Sequence, residues 1–339
     1  MSKTATITLA HGDGEAATLR FIRDEILTRF GNPSLDKLED GSQIVLHNTD
    51  IVISTDTYIV DPPIFPGGDI GKLAVSGTVN DLLAAGALPR YFTLSLVISE
   101  GFPLPTLRRI LDSAQHTAQL ANIQIVAGDT KVLNKRANTE IYINTAGLGL
   151  PIKPGKDYAV SNAQVGDDVI VTGTVGDHGL AILSVREGLG FEQRVQSDCA
   201  PLHEMMIPLL RTFDRIHCLR DPTRGGLTGV LIDVAESSTV DVLLDQDQIP
   251  IKREVHFGCE MLGLNPLNMI NEGKMVIVVA PEQTRGVMDR LCQHPLGRES
   301  KVVGVIQRAS SPTGRLIVKK GYAKHVAVRP EGQALPRLC

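Results

Sequence analysis

Apolar and polar positions change period several times along the chain, and each change marks an element. From Ala16 to Phe30 apolar residues recur at helical spacing, and Gly31-Asn32-Pro33 stops the run. Ile51 to Val60 is a β-branched strand interrupted by Asp56, with Asp61 just past its end. Leu73 to Gly86 is almost wholly small or apolar, which predicts a helix buried on all sides, with Asn80-Asp81 as a polar insertion. A strand at Tyr91–Ser99, a helix at Pro105–Ala121, a strand from Ile123 and another at Thr139–Leu148 complete the first half. Pro151-Ile152-Lys153-Pro154-Gly155 reads as a linker. Beyond it the pattern predicts a strand at Asp168–Thr172, helices at Leu180–Glu187 and Leu227–Glu236, and a buried strand at Met275–Val279. Gly332 and Pro336 argue against a terminal helix, so the last residues are expected to form a mobile tail ending in the thiol of Cys339.

At 339 residues the chain is too long for one ordinary core. Together with the alternation of elements, this predicts an α+β protein with domains at 1–150 and 156–330, a tail at 331–339, and two lobes flanking one cleft. Net charge is −4 with both signs mixed, there is no Trp, and aromatic residues are 4%. Neither a phosphate-tracking basic face nor a stacking platform is present, which argues against nucleic acid as a partner. Met1 to Thr8 has no apolar signal core and Met275–Ala280 is far too short to span a bilayer, so no membrane association and a cytoplasmic location are expected. Five cysteines stand at 199, 218, 259, 292 and 339 without any C-x-x-C spacing, which fits reduced core residues better than a disulfide framework or a zinc site. Cys339 escapes that reading, because no core is built on a final residue.

The polar interruptions carry the candidate chemistry. Gly12 and Gly14 precede the first helix in a way that suits an anion, or a plain turn. Carboxylates are poor strand residues and costly to bury alone, so Asp56 and Asp61 should sit at a strand end or face a cation, a metal being one candidate. Asn80-Asp81 needs a polar partner, a structural hydrogen bond being one. Gly128-Asp129-Thr130-Lys131 is expected just after a strand, where acid and lysine together suit a magnesium-phosphate site. No P-loop and no G-x-G-x-x-G is present. Asp221-Pro222-Thr223-Arg224-Gly225-Gly226, ahead of a helix, is a second possible phosphate cradle with Arg224 as a bidentate anion ligand. Asn271-Glu272-Gly273-Lys274 could be no more than a charged turn, and His178 and His217 read as structural.

The pieces combine into one signature: His11-Gly12-Asp13-Gly14, Ser54-Thr55-Asp56 through Asp61-Pro62, Pro66-Gly67-Gly68-Asp69-Ile70-Gly71-Lys72, Asn80-Asp81, Gly128 to Lys131, Gly176-Asp177-His178-Gly179, Asp221 to Gly226, Asn271 to Lys274, and the terminal Pro336-Arg337-Leu338-Cys339. Across essentially the whole length this resembles the HypE family of hydrogenase maturation proteins, within the PurM-like superfamily of aminoimidazole ribonucleotide and selenophosphate synthetases. The resemblance implies a homodimer paired through the N-terminal domains, a C-terminal α/β domain, and ATP and Mg²⁺ as cofactors. It also implies a carbamoyl group placed by HypF on Cys339 and dehydrated with ATP to a thiocyanate, whose cyanide passes to the HypC–HypD complex for a nickel-iron hydrogenase. By the same resemblance Asp56, Asp81 and Asp221 are the metal ligands; Asp56, Lys72, Asn80, Asp81, Asp129, Thr130, Lys131 and Arg224 form the nucleotide site; and Glu272, Lys131 and Cys339 are catalytic, Glu272 as base. Glu15 departs from the pattern where relatives carry a second glycine, which puts a carboxylate beside that loop; Leu338 replaces the commoner isoleucine.

A selenophosphate synthetase-like or purine-pathway enzyme would share the aspartates but should carry a reactive Cys near its start, and no cysteine precedes Cys199. A non-catalytic carrier would need the tail and not the acids. Cys339→Ala is expected to abolish carbamoyl acceptance while leaving ATP binding intact. The check is the mass of the C-terminal peptide after incubation with HypF, carbamoyl phosphate and ATP.

Overall fold

The computed structural model describes residues 16–33, 35–46, 49–134, 140–190 and 194–329. The glycine loop at His11–Glu15 and the tail at 331–339, including Cys339, lie outside the described residues. The first helix is Ala16–Phe21, continued by a π segment Ile22–Leu27 and a last turn Thr28–Phe30.

Two sheets carry the rest. The first has five strands in the order Ser42–Leu46, Thr49–Tyr58, Ile141–Pro151, Ala87–Ser99 and Gln124–Leu133. All neighbours are antiparallel except the last pair. The strand Thr49–Tyr58 turns Val52, Ser54 and Tyr58 inward, as its period of two requires. Those side chains meet the helix Ile70–Ala84, whose run of small residues lets it sit buried between the sheet and the second half of the chain. Val75, Val79, Leu82 and Leu83 of this helix share one apolar cluster with Phe92 of the sheet and with Leu202, Met206, Leu209 and Ile277 from the second half. Burying this shared face is a dispersive and hydrophobic bond between the halves, so the carboxylate of Asp81 near the helix's end is held in register with both.

The second sheet has seven strands, ordered Ala323–Val326, Arg315–Lys320, Val240–Asp245, Lys301–Arg308, Asp168–Val171, Val276–Val279 and Ile216–Arg220. Only Val240–Asp245 and Arg315–Lys320 run parallel. Val276–Val279 is buried at every position, in agreement with its continuous apolar run.

Three expectations need correction. The strand after the linking helix Leu104–Leu120 does not end before Gly128; it runs from Gln124 to Leu133, pairing Asp129 with Ser95 and Lys131 with Val97. The sequence predicts the acid and lysine just past the strand's end, but parallel pairing with the strand ending at Ser99 carries the strand on through both. The strand ending at Ser99 begins at Ala87 and passes through Pro89, where a register shift accommodates the missing N–H. Cys292 is exposed at the last position of the helix Pro281–Cys292, whereas Cys199, Cys218 and Cys259 are buried.

The buried helix starts on a side-chain cap. Asp69 accepts hydrogen bonds from the N–H groups of Gly71 (2.9 Å) and Lys72 (3.0 Å), so the acid in the Pro66–Lys72 motif serves the backbone. Asp69→Ala is expected to destabilise the protein by about 1–2 kcal/mol through loss of this cap, measured by urea unfolding.

Candidate active site

A cavity of about 280 Å³ opens between the two halves and gathers acids from five separate segments, one of them Asp233 on the helix Gly226–Ser238. Asp56 comes from the strand Thr49–Tyr58, and Asp81 from the last turn of the buried helix. Asp40 lies just ahead of the strand Ser42–Leu46, and Asp221 follows the strand Ile216–Arg220. Leu19, Ile22, Leu38 and Val230 supply apolar wall beside them. An apolar side next to a charged one suits a ligand with a flat organic part and an anionic part.

Few groups compensate these charges. Arg220 is the central cation: its Nε lies 2.9 Å from Asp40 Oδ1, one Nη lies 3.0 Å from Glu39 Oε2, and the other donates to the Leu38 carbonyl at 3.1 Å. Arg224 Nη2 stands 3.6 Å from Asp56 Oδ1 and is otherwise largely exposed. Ser54 Oγ donates to Asp81 Oδ2 at 2.8 Å. Asp40 Oδ2 is buried with no hydrogen-bond partner among the described residues. Burial, followed by the charges of Asp221, Asp40 and Asp56, raises the Asp81 carboxyl well above the usual range. Burial and then Asp40 do the same to Asp221, against the opposing pull of Arg220. Burial lifts Asp56 and Asp40 as well, with Arg224 and Arg220 respectively opposing, and pushes Glu39 up to about 7.

An all-carboxylate donor set with an orphaned buried oxygen fits a hard divalent cation. Among the described residues no three acids, histidines or cysteines stand close enough to form a ligand shell as placed. The carboxylates therefore fit Mg²⁺ by chemistry and would have to draw together around it.

The other expected site residues divide. Glu272 is buried off the cavity wall, and burial followed by Asp221, Asp198 and Asp56 raises its carboxyl well above the usual range. Asn80 does not line the cavity. Its amide donates to the carbonyls of Ala200 (3.1 Å) and Glu272 (3.4 Å) and accepts from Leu202 N–H (2.9 Å), so it ties the buried helix to the second half. Lys72 donates to the Gly67 carbonyl at 3.0 Å and lies beside Cys199, again away from the cavity. Asp129, Thr130 and Lys131 are exposed on the sheet's edge strand, and Lys131 Nζ is 2.7 Å from Asp129 Oδ2. The partnership of acid and lysine is thus local, and within one chain it does not meet the acidic cavity. His178 shares a 2.7 Å hydrogen bond with Ser197, and His217 one of the same length with buried Asp167.

Glu39, Asp40, Arg220 and Asp198 were not singled out from sequence. Asp40 follows Leu38-Glu39 and precedes Gly41, a setting that reads as a solvated turn; only its placement against Arg220 marks it. The sole local signal was an acid pair next to a β-branched strand.

The two halves match the N-terminal domain (residues 39–150) and the C-terminal domain (residues 164–317) of AIR synthase related proteins. Fold and cavity thus define a two-domain protein of that class. The carbamoyl dehydratase HypE of Escherichia coli strain K12 is 39% identical over 339 residues, covering 98% of this chain and 99% of its own. Crystal structures of a HypE–HypF complex (TM-score 0.85, 36% identity, 91% of this chain and 99% of the other) and of HypE in complex with ATP (TM-score 0.82, 36% identity, 98% and 100%) superpose along nearly the whole chain. The chain belongs to the HypE family of carbamoyl dehydratases in hydrogenase maturation. No helix among the described residues is long and apolar enough to cross a membrane.

Because the folded Asp81 carboxyl holds its proton more tightly than in the unfolded chain, stability is lost as pH rises from about 3.8 through the raised folded value. Asp81→Asn removes that cost while keeping the Ser54 hydrogen bond. In metal-free buffer it should raise the melting midpoint at about pH 8 by about 2–4 °C, the shift that about 1 kcal/mol produces. The gain should shrink progressively as pH falls towards 3.8, where the unfolded carboxyl also begins to take up its proton; scanning calorimetry with chelator at about pH 8 and about pH 4 is the check, the smaller shift being expected at the lower pH.

Proposed function

We propose that this chain converts an S-carboxamide on Cys339 to a thiocyanate at the expense of ATP, taking the carbamoyl group from HypF and passing cyanide to HypC–HypD in the cytoplasm. The observation that carries this reading is the convergence of Asp40, Asp56, Asp81 and Asp221 on one cavity, in a chain aligned end to end with carbamoyl dehydratases. The relatives' structures with ATP and with HypF support the nucleotide and the donor.

The chemistry balances as a dehydration. A carboxamide oxygen is a poor leaving group, so the oxygen of Cys339–S–C(=O)–NH₂ takes the γ-phosphoryl group and ADP leaves. The C–O bond then breaks with the oxygen departing on phosphate, the nitrogen gives up its two protons, and a C≡N bond forms; nothing is oxidised or reduced. Asp40, Asp56, Asp81 and Asp221 would hold Mg²⁺, which supplies charge neutralisation for the phosphoryl group when bound. Arg224, exposed and only loosely paired with Asp56, is free to swing onto anionic oxygens. Glu272 acts as the acceptor for the amide protons, a role suited to a carboxyl whose burial raises its basicity. Asn80 supports Glu272 through its backbone, which refines its assignment from nucleotide contact to scaffold.

A homodimer accounts for the edge strand. Gln124 to Val132 is exposed throughout, with Ile125, Val126 and Val132 outward, an arrangement that invites pairing with a second copy. Asp129, Thr130 and Lys131 would then act at the join between copies.

With carbamoylated protein, Glu272→Gln is expected to bind ATP normally and to lose nitrile formation by about 100-fold or more, the contribution of a positioned base. Mass analysis of the C-terminal peptide after one turnover reads this directly. Nitrile formation at the wild-type rate would remove Glu272 from the mechanism, and ATP-independent nitrile formation would overturn the whole reading.

A further inference from the structure

The segment Ser197-Asp198-Cys199-Ala200 belongs to neither sheet and to none of the roles above, yet it carries a carboxylate, that of Asp198, almost wholly shielded from solvent. Asp198 uses both carboxylate oxygens on one short turn. Oδ1 accepts from the Glu272 N–H at 3.1 Å and Oδ2 from the Gly273 N–H at 3.2 Å, while Lys274 Nζ sits 3.2 Å from Oδ2. Three successive residues are thus tethered to one side chain. The side chains of Asp198 and Lys274 are only 2% and 8% exposed, so the pair is almost free of solvent screening. Burial alone would push the Asp198 carboxyl up, but Lys274, His178 and the Glu272 N–H outweigh it and hold the group below the usual carboxylate range. It is therefore charged, and a charged acceptor makes the stronger bonds to the two N–H groups.

The approach is also too close for any side chain at the middle of the turn. A Cβ on Gly273 would lie 1.9 Å from the Asp198 carbonyl oxygen, so glycine is required there by contact. From the opposite side the Glu272 carbonyl accepts from the Asn80 amide and, at 3.4 Å, from Ala200 N–H. Both backbone groups of Glu272 are consequently pinned, one by Asp198 and one by the buried helix. The clamp reaches the first half again through Ser197, whose N–H donates to the Pro66 carbonyl at 2.8 Å.

We infer that Asp198 is a positioning residue for Glu272: it fixes the backbone from which the Glu272 carboxyl meets the reacting amide, with Lys274 as its counter-charge. This rests on the reading of Glu272 as proton acceptor. A turn serving only to close the fold would need one main-chain bond or a cap; here a buried ion pair is aimed at the residue carrying the chemistry, and displacing such a group by about 1 Å costs on the order of 100-fold in rate.

The test is a double-mutant comparison on carbamoylated full-length protein in single-turnover dehydration. Asp198→Asn keeps size and loses the charge; its rate of nitrile formation should fall on the order of 100-fold, with the ATP concentration for half-maximal rate unchanged. Combined with Glu272→Gln, it should add nothing to the loss caused by Glu272→Gln alone, because a misplaced base and an absent one are equivalent. Asp198→Glu keeps the charge but shifts the carboxylate by one methylene. It serves if the Asn variant does not fold, with the same pattern expected. Wild-type rates in both Asp198 variants, or losses that multiply with that of an impaired Glu272→Gln protein, would overturn the positioning role while leaving Glu272 in place. A Glu272→Gln protein working at the wild-type rate would instead remove Glu272 from the mechanism, and the positioning role with it.

Discussion

Like-charge crowding is the constraint on which this structure turns. Asp40, Asp56, Asp81 and Asp221 share one cavity with Arg220, Arg224 and Arg329; burial raises all four carboxyls, and the charges of neighbouring aspartates raise Asp81, Asp221 and Asp40 further. Such an arrangement does not assemble on its own account, since each buried unpaired charge disfavours the folded state. It is held by what surrounds it: the helix Ile70–Ala84, clamped by apolar contacts on both sides, fixes Asp81; the register of Thr49–Tyr58 against Ile141–Pro151 fixes Asp56; and the end of Ile216–Arg220 fixes Asp221. The shared apolar cluster across the halves is thus the source of stability, and the acid cavity is where part of it is spent.

The same architecture separates two kinds of polar burial. In the cavity, negative charge is left in excess, which is the condition for receiving a cation or cation-bound phosphate. Behind it, around Asp198, every charge has a partner: carboxylate with ammonium, main-chain N–H with carboxylate, carbonyl with amide. The first region is built to change its protonation and contacts when a ligand arrives, and the second to stay put. Glu272 lies between them, its backbone in the satisfied region and its carboxyl under the influence of Asp221 and Asp56. That placement lets a proton acceptor be raised in basicity without becoming mobile.

Much of this was legible in the chain itself, and the reasons are local. The buried helix declares itself because nearly every residue from Leu73 to Gly86 is small or apolar, and the strand around Asp56 because β-branched residues are concentrated there. Asp56 and Asp81 stood out because carboxylates in apolar surroundings need partners, whereas Asp221 and Glu272, in polar stretches, took their roles from the family signature. What the sequence by itself determined, then, was the identity of the elements, the family signature and the acids that local context makes conspicuous. Tertiary structure alone decided which of them meet. Asp40 and Arg220 are 180 residues apart and become a pair only when the second sheet's last strand reaches the start of the first. Asp198 and the turn at Glu272 become one unit by the same kind of long-range closure. Conversely, Asp129 and Lys131 looked like a loop at the site and lie on an exposed edge strand, because strand pairing, a cooperative property of neighbours far apart in the chain, outweighs the preference of two charged residues. Local composition sets which groups are unusual; the distance between them is fixed only by packing.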